Sequence, residues 1–308
     1  MRIVFMGTPA FAAASLLRLY ADGYDVVGVF TQPDKPGNRG MKVRFSPVKE
    51  VAIEHGAKIY QPPGLRDDHT VNSIRELNCD IIIVTAYGKL LPKEILEIPP
   101  LGCVNIHASL LPKYRGAAPV QWAVLRGEKE TGVTSMYMAE ELDSGDILFS
   151  KKTRIHDDET AGELLDRLSI IGAELLSETI DAIINGKAIR IPQHHEEATF
   201  APPLSREISP INWADNSMNI KCKVRGLCPW PTATSDIGGI VCKIFSVEIG
   251  GNRPANKRPG DIVVSGKSGL EIVSADGTII IKELQPPGGR RMTAAEFLRG
   301  RKIVTEES

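Results

Sequence analysis

Three polar residues, Asn105, His107 and Asp143, have the types and the spacing that suit chemistry. Asn105 and His107 are two positions apart at the end of Cys103–His107, so in a β-strand their side chains share one face. Asp143 opens an acidic turn, Asp143–Asp146, one predicted strand further on. An imidazole moves protons near neutral pH, a carboxylate stabilises its charged form or fixes its tautomer, and an amide donates to an oxyanion. Together they are a competent set for acyl transfer.

No serine or cysteine stands at an obvious nucleophile elbow in this sequence. This favours direct transfer to an external nucleophile, without a covalent enzyme intermediate. The alternative is that Asn105 and His107 are a structural pair whose polar groups are hydrogen-bonded within the fold. If these two residues stood alone, the structural and the chemical interpretations would be about equally good. The polar segment Ser109–Gly116 follows directly, and the acidic turn adds a carboxylate. Both additions favour the chemical interpretation.

Alternating β-branched and helical segments in the first half predict a Rossmann-like α/β domain with a parallel sheet. Ligands of such sheets bind outside the carboxyl ends of the strands, which is where Asn105 and His107 lie. We expect Thr8 to cap the first helix. The predicted strands are Arg2–Met6, Val26–Phe30, Ala57–Tyr60, Asp80–Thr85, Cys103–His107, Val133–Met138 and Ile147–Ile155. The predicted helices are Phe11–Tyr20, Pro47–Glu54, Asp67–Leu77, Ala118–Arg126 and Ala161–Asn185.

The segment that follows these elements contains several prolines and has no regular hydrophobic pattern. This composition predicts a linker. Short β-rich runs separated by Gly, Asn and Asp turns come after it and predict a small antiparallel barrel or sandwich. We therefore divide the chain into a catalytic domain, residues 1–189, a linker, 190–207, and a small β domain, 208–308.

The composition excludes several classes of protein. With 308 residues, 42% hydrophobic and 24% charged, the chain is neither disordered, collagen-like nor a disulfide scaffold, and its length suggests two domains. The net charge is −1, but charge is distributed unevenly along the chain. Residues 1–204 carry 22 basic and 27 acidic side chains, whereas residues 205–308 carry 15 basic and 11 acidic ones. A basic C-terminal domain suits a phosphate backbone, although a solvated polar face is the alternative for any one basic group.

The cysteines and the histidines suggest neither redox nor metal chemistry. The five cysteines include no CxxC pair, and adjacent His194 and His195 cannot easily face one ion, so we predict no metal site. Gly7-Thr8-Pro9 lacks both GxGxxG spacing and a Walker lysine, which argues against a nucleotide site. The first six residues are too short for a secretory signal and no later run approaches a membrane span. We expect a cytoplasmic protein with no membrane association and no obligate protein partner.

A long loop, residues 31–47, replaces the usual short turn after the second predicted strand. Its basic residues include Arg39 and Lys42, and Asp34 is its one acidic residue. This excess of positive charge predicts a loop that binds an anionic ligand, and the alternative is a solvated loop without a ligand.

The motifs together resemble those of the folate-dependent formyltransferases, along essentially the whole chain. The catalytic motifs carrying the resemblance are Asn105-Ile106-His107, Ser109-Leu110-Leu111-Pro112 and Asp143-Ser144-Gly145-Asp146. The segments Gly7-Thr8-Pro9, Thr31-Gln32-Pro33-Asp34 and Pro229-Trp230-Pro231 are similar to the branch of this family that acts on methionyl-tRNA. The resemblance implies formyl transfer from 10-formyltetrahydrofolate to the α-amine of methionine on initiator tRNA.

Carried over position by position, the resemblance implies a catalytic trio of Asn105, His107 and Asp143. It implies that Ser109, Leu110, Leu111 and Pro112 line the folate site, that Arg39 and Lys42 in the basic loop contact tRNA, and that an OB-like barrel docks the tRNA. The sequence departs from the family at Pro203, where a lysine is usual, which puts a tRNA contact from the linker in doubt. A sugar-nucleotide N-formyltransferase would share the trio, and a non-catalytic RNA-binding relative is the alternative from another class.

Overall fold

The computed structural model describes residues 1–34, 45–266 and 269–299. They form two compact units. The first comprises residues 1–119, 130–154 and 165–202, and the second comprises 120–129, 155–164 and the described residues from 203 onward. The predicted linker is divided between the units, because its residues up to 202 belong to the first.

The first unit is built on a seven-stranded sheet of order β3-β2-β1-β4-β5-β7-β8. The strands of this half are β1 (Arg2–Gly7), β2 (Asp25–Phe30), β3 (Ile59–Tyr60), β4 (Ile81–Thr85), β5 (Cys103–His107), β6 (Arg115–Gly116), β7 (Glu130–Tyr137), β8 (Ile147–Arg154) and β9 (Phe200–Ala201). The helices of this half of the chain are α1 (Ala10–Ala21), α2 (Pro47–Glu54), α3 (Asp68–Glu76), α4 (Lys93–Leu96), α5 (Pro119–Leu125) and α6 (Ala161–Ile184). All of α5 after its first residue, and the first four residues of α6, belong to the second unit.

The predicted parallel α/β sheet is confirmed for β1 to β5, which pair in parallel. The sheet is mixed, however, because β7 runs antiparallel to both β5 and β8. All five residues of β4 are buried, as expected of a strand that lies between β1 and β5. All five residues of β5 are buried as well. At its carboxyl end, Asn105 lies between Val84 of β4 and Met136 of β7, and His107 pairs with Thr134 of β7.

The predicted cap of the first helix is wrong. Pro9 is the N-cap of α1, and it makes no side-chain cap bond. Thr8 lies one residue too early, and its hydroxyl contacts the Tyr87 carbonyl oxygen and the Gln32 backbone N–H, each at 3.4 Å. Thr8 therefore joins the loops after β2 and β4 at the carboxyl edge of the sheet.

The second unit contains an antiparallel sheet of order β10-β11-β14-β13-β12, with β15 paired to β14. This confirms the antiparallel β domain predicted from the short β-rich runs. Its strands are β10 (Ala233–Asp236), β11 (Val241–Asn252), β12 (Ile262–Gly266), β13 (Gly269–Val273), β14 (Gly277–Gln285) and β15 (Met292–Thr293). Two helices, α7 (Ser217–Gly226) and α8 (Ala294–Leu298), contribute apolar side chains to its core.

Two basic side chains of the second unit, Arg225 and Lys221, bond to other residues of that unit. Arg225 is only 9% exposed, and its guanidinium donates to the carbonyl oxygens of His156 and Glu159 at 2.9 and 3.2 Å. Lys221 pairs with Asp158 at 2.6 Å. By contrast, seven arginines among the described residues of this unit are exposed: Arg126, Arg206, Arg253, Arg258, Arg290, Arg291 and Arg299.

Candidate active site

The side chains of Asn105 and His107 meet that of Asp143 at the carboxyl end of β5. Asn105 Nδ2 lies 3.5 Å from Asp143 Oδ1, and His107 Nδ1 lies 3.6 Å from Asp143 Oδ2. Asn105 is 8% exposed, and the side chains of His107 and Asp143 are 7% and 10% exposed. The three groups predicted from the sequence therefore form one nearly buried cluster of amide, imidazole and carboxylate.

Asp143 is held at two points. Its carboxylate Oδ2 accepts the backbone N–H of Gly116 at 2.8 Å, and its own carbonyl oxygen accepts the Gln193 side-chain amide at 2.9 Å. Asp143 has a φ of +52°, a left-handed conformation that aspartate tolerates better than most residues. The acidic turn thus presents its first residue inward while the chain reverses towards β8.

The His107 ring lies between two oxygen atoms. Its Nε2 is 3.0 Å from the carbonyl oxygen of Tyr114, which can only accept, so Nε2 carries the hydrogen. Nε2 is therefore engaged by Tyr114, and Nδ1 is the ring nitrogen that faces the Asp143 carboxylate.

The segment Ser109–Pro112 forms the turn directly after β5. Ser109 is fully buried, and its hydroxyl donates to the Lys113 carbonyl oxygen at 2.6 Å. Thr134 fixes the same turn, because its hydroxyl donates to the Ser109 carbonyl at 2.7 Å and accepts the Leu111 N–H at 3.2 Å. Leu110 and Pro112 are half-buried. Ser109 and Leu111 therefore shape the turn, and the partly exposed Leu110 and Pro112 are its accessible members.

Sequence reasoning missed the contribution of residues 193–201, which lie in the predicted linker. Strand β9 pairs in parallel with β6, and Thr199 accepts the Tyr114 N–H on its hydroxyl at 2.9 Å. Gly116 has a φ of +122°, and a Cβ there would lie 2.7 Å from the Ala201 carbonyl oxygen. Glycine is therefore required at the residue that donates to Asp143. No local pattern signals these contacts, because the partners are far apart in the sequence.

A second polar network lies beside the predicted tRNA-binding loop. Lys49 contacts the Asp34 carboxylate and donates to Gln61 Oε1 at 2.8 Å, and Gln61 donates to the other Asp34 oxygen at 2.9 Å. The hydrogen bond from Lys49 holds the pKa of Asp34 below its usual range, and that from Gln61 adds to it. Arg39 and Lys42, the predicted tRNA contacts, lie outside the described residues.

A cavity of about 540 Å³ lies beside the loop that follows β4. Its volume is in the range of small-molecule sites. The apolar part of its lining includes Leu90, which is 57% exposed although it is a large hydrophobic residue. The charged lining residues are Arg66, Arg75, Lys93, Asp68, Glu94 and Glu140. Glu140 is three residues before Asp143, so the cavity reaches the chain segment that leads into the acidic turn.

Within the described part of the chain, no cluster of three or more His, Cys, Asp or Glu side chains is placed to hold a metal ion. None of its helices has the length and apolar character that a membrane span requires.

Known structures share this fold at low sequence identity. An N-formyltransferase of Helicobacter canadensis, solved with folinic acid and dTDP-3-aminofucose, superposes with a TM-score of 0.69 at 20% identity, over 94% of this chain and 99% of that one. HypX of Aquifex aeolicus, solved with tetrahydrofolic acid, superposes with a TM-score of 0.64 at 19% identity over 97% of this chain, which spans 47% of the longer HypX chain.

Sequence comparison covers both halves of the chain. A family model described as formyl transferase matches residues 1–180, and one described as formyl transferase, C-terminal domain, matches residues 203–302. The methionyl-tRNA formyltransferase of Acetivibrio thermocellus is 46% identical over 98% of this chain and 97% of its own. That of Caldanaerobacter subterraneus is 47% identical over 98% of each chain. With both domain models matched and relatives this similar over their full length, the chain belongs to the formyl transferase family.

Proposed function

We propose that this protein transfers a formyl group from 10-formyltetrahydrofolate to the α-amine of methionine esterified to initiator tRNA. The observation that carries the proposal is the cluster of Asn105, His107 and Asp143. Asn105 Nδ2 and His107 Nδ1 lie 3.5 and 3.6 Å from the Asp143 carboxylate. Full-length relatives named methionyl-tRNA formyltransferase support the choice of acceptor. We expect the reaction to take place in the cytoplasm.

In this mechanism the methionine amine attacks the formyl carbon of the folate and forms a tetrahedral intermediate. The Asn105 amide and the protonated His107 ring donate to its oxyanion. The 3.5 and 3.6 Å separations from Asp143 are longer than firm hydrogen bonds, so both donors are free to turn to the reacting oxygen. A preorganised donor of this kind contributes a factor of about 10²–10³ to turnover.

Collapse of the intermediate breaks the bond between the formyl carbon and N10 of the folate. The attacking amine loses one proton and N10 gains one, so the products are formylmethionyl-tRNA and tetrahydrofolate. Asp143 stabilises the charged His107 ring and assists this proton transfer, with water as the carrier. The buried position of the cluster strengthens each of these electrostatic interactions.

We place the folate against the half-buried Leu110 and Pro112 and along the cavity beside Leu90. Both surfaces lie at the carboxyl edge of the sheet, the usual ligand position in an open α/β fold. Ser109 and Leu111 fix the turn that carries Leu110 and Pro112, through their hydrogen bonds to Lys113 and Thr134.

We propose two contacts with the tRNA. Arg39 and Lys42 reach the acceptor end, and the exposed arginines of the second unit bind the phosphate backbone. The excess of basic side chains after residue 204 supports the second contact.

The decisive experiment supplies the purified protein with 10-formyltetrahydrofolate and either charged initiator tRNA or an amino-sugar nucleotide. We expect a formyl group on the methionyl-tRNA alone. Formylation of only the sugar nucleotide would contradict the proposal. RNA binding without formylation of either acceptor would instead identify a non-catalytic relative.

A further inference from the structure

The acidic turn is held by one buried side chain from outside the catalytic motifs. Gln193 Nε2 donates to the backbone carbonyl oxygens of Asp143 at 2.9 Å and of Gly145 at 2.7 Å. Gln193 is 7% exposed. Its two amide hydrogens thus bridge both sides of Ser144, fixing the backbone from which the Asp143 carboxylate projects.

Arg115 fixes the orientation of the Gln193 amide. Its Nε and one terminal nitrogen donate to Gln193 Oε1 at 3.2 and 2.6 Å, and both terminal nitrogens lie 3.3 Å from His195 Nδ1. A guanidinium can only donate, so the amide oxygen must face Arg115 and the amide NH₂ must face the turn. Arg115 is itself only 4% exposed, and its burial keeps the guanidinium in place.

The turn leaves little room for alternative conformations. Asp143 has a φ of +52°, and a Cβ on Gly145 would lie 1.9 Å from the Tyr137 carbonyl oxygen. The Gly116 N–H restrains the Asp143 carboxylate, whereas Gln193 restrains its backbone. These restraints act on different atoms, so the Gly116 bond alone does not define where the carboxylate lies relative to His107.

We propose that Gln193 is a positioning residue for formyl transfer, acting through Asp143, with Arg115 fixing Gln193 in turn. The inference rests on the proposed function, because it assumes that the Asp143 carboxylate serves the reaction. The Gln193 side chain is hydrogen-bonded neither to the His107 ring, which contacts Tyr114, nor to the Asn105 amide, which contacts Asp143. Its effect is therefore indirect and should pass through Asp143 alone.

The test is Gln193→Glu. Glutamate keeps the shape of the side chain and an acceptor for Arg115, but it loses both donors and sets a carboxylate against two carbonyl oxygens. We expect kcat to fall about 10- to 100-fold, since a misplacement of about 1 Å has effects of this size. The KM values for folate and for tRNA should change by no more than about twofold, because ground-state contacts are untouched.

Thr179→Val provides the control for loss of buried hydrogen bonds elsewhere in the same unit. Thr179 is fully buried, and its hydroxyl donates to the Leu175 carbonyl oxygen and accepts from the Ser135 hydroxyl. This variant should lower the melting temperature and leave kcat unchanged. If Gln193→Glu does not fold, Gln193→Met carries the test, because it removes the same two donors without adding charge.

A double-mutant cycle with Asp143→Asn separates the possible outcomes. If Gln193 acts through Asp143, Gln193→Glu should lower kcat less than about twofold in the Asp143→Asn background. An undiminished effect there, or an effect on KM alone, would overturn the positioning role while leaving the proposed function intact. A fully active Asp143→Asn would overturn the role of Asp143 itself, and the inference with it.

Discussion

Gly116 donates its backbone N–H to the Asp143 carboxylate at 2.8 Å while its α-carbon faces the Ala201 carbonyl oxygen. Gly116→Ala should therefore damage both stability and activity. A Cβ would lie 2.7 Å from Ala201 O at a φ of +122°, so the backbone must move and carry the N–H away from Asp143. We expect a loss of about 1–3 kcal/mol in unfolding free energy, measured by denaturant titration, and a lower kcat.

The control for Gly116→Ala is Gly56→Ala. Gly56 also has a positive φ, +65°, but a Cβ there meets nothing within 4 Å. It should cost about 1 kcal/mol of stability and leave kcat unchanged. A normal kcat in Gly116→Ala would show that the bond to Asp143 is dispensable.

Asn105→Ala and His107→Ala should both fold and both lose activity. We expect kcat to fall by about 10²–10³ for the loss of the oxyanion donor. The loss of the proton-transfer group should lower it by about 10²–10⁴. Single-turnover formylation of Met-tRNA measures both, and circular dichroism checks the fold. Near-normal turnover in either variant would remove that residue from the mechanism.

Leu90→Ala should weaken binding of the folate without weakening the fold. Leu90 lines the cavity beside the acidic turn and is 57% exposed, so it contributes little to the core. Burial of such a side chain by a ligand stabilises the complex by about 1–2 kcal/mol, so the KM for folate should rise about fivefold or more. Leu17→Ala on α1, 44% exposed in the free protein, is the matched control and should leave the KM unchanged.

Lys49→Met should change the acid sensitivity of the first unit. The hydrogen bond from Lys49 lowers the pKa of Asp34 in the folded protein. That stabilisation is present above the unfolded pKa of about 4 and is lost as the pH falls through the lower folded value. The variant should therefore be less stable than the parent at pH 7, and the difference should shrink in acid.

Thermal unfolding at several pH values and an NMR titration of the Asp34 carboxyl measure these effects. Lys152→Met is the control, because Lys152 is exposed and lies on β8, away from this network. An unchanged Asp34 titration in Lys49→Met would show that Lys49 does not set the Asp34 pKa.

Added salt should raise the KM for Met-tRNA steeply and the KM for folate much less. Counterion release makes phosphate contacts salt-dependent, and the exposed arginines of the second unit are the proposed contacts. Arg258→Gln and Arg299→Gln should each lower the slope of log KM against log salt by up to about 1. Lys152→Gln should not change it. Equal slopes in all variants would place the phosphate contacts elsewhere.

The sequence predicted those parts of the fold and of the site that depend on local pattern. Strand β5 and helix α2 have the predicted bounds, because β5 is uniformly buried and α2 has Ser46 as its cap and Pro47 in its first turn. The proximity of Asn105, His107 and Asp143 agrees with local pattern, because period 2 places the first two on one face of β5 and the third follows at a turn.

Other features depend on contacts between distant residues, which no local pattern contains. Thr8 is a good capping residue by type, but it is bonded to the loops after β2 and β4. Gln193 looked like part of an irregular linker, and only the folded chain brings it to Asp143. Arg225 contributes to the excess of basic side chains after residue 204, but it is buried and donates to two carbonyl oxygens.

The pairing of β6 with β9 has a consequence for the order in which the protein is made. Tyr114 bonds to Thr199, 85 positions later in the chain, and Gln193 follows Asp143 by 50 positions. A nascent chain that has emerged only as far as residue 190 already contains Asn105, His107, Asp143 and Gly116, but it lacks the Gln193 bonds to the acidic turn and the Thr199 bond to Tyr114. On the proposed role of Gln193, full catalytic competence during translation waits for residues 193–201 to leave the ribosome, after the last strand of the seven-stranded sheet, which ends at Arg154.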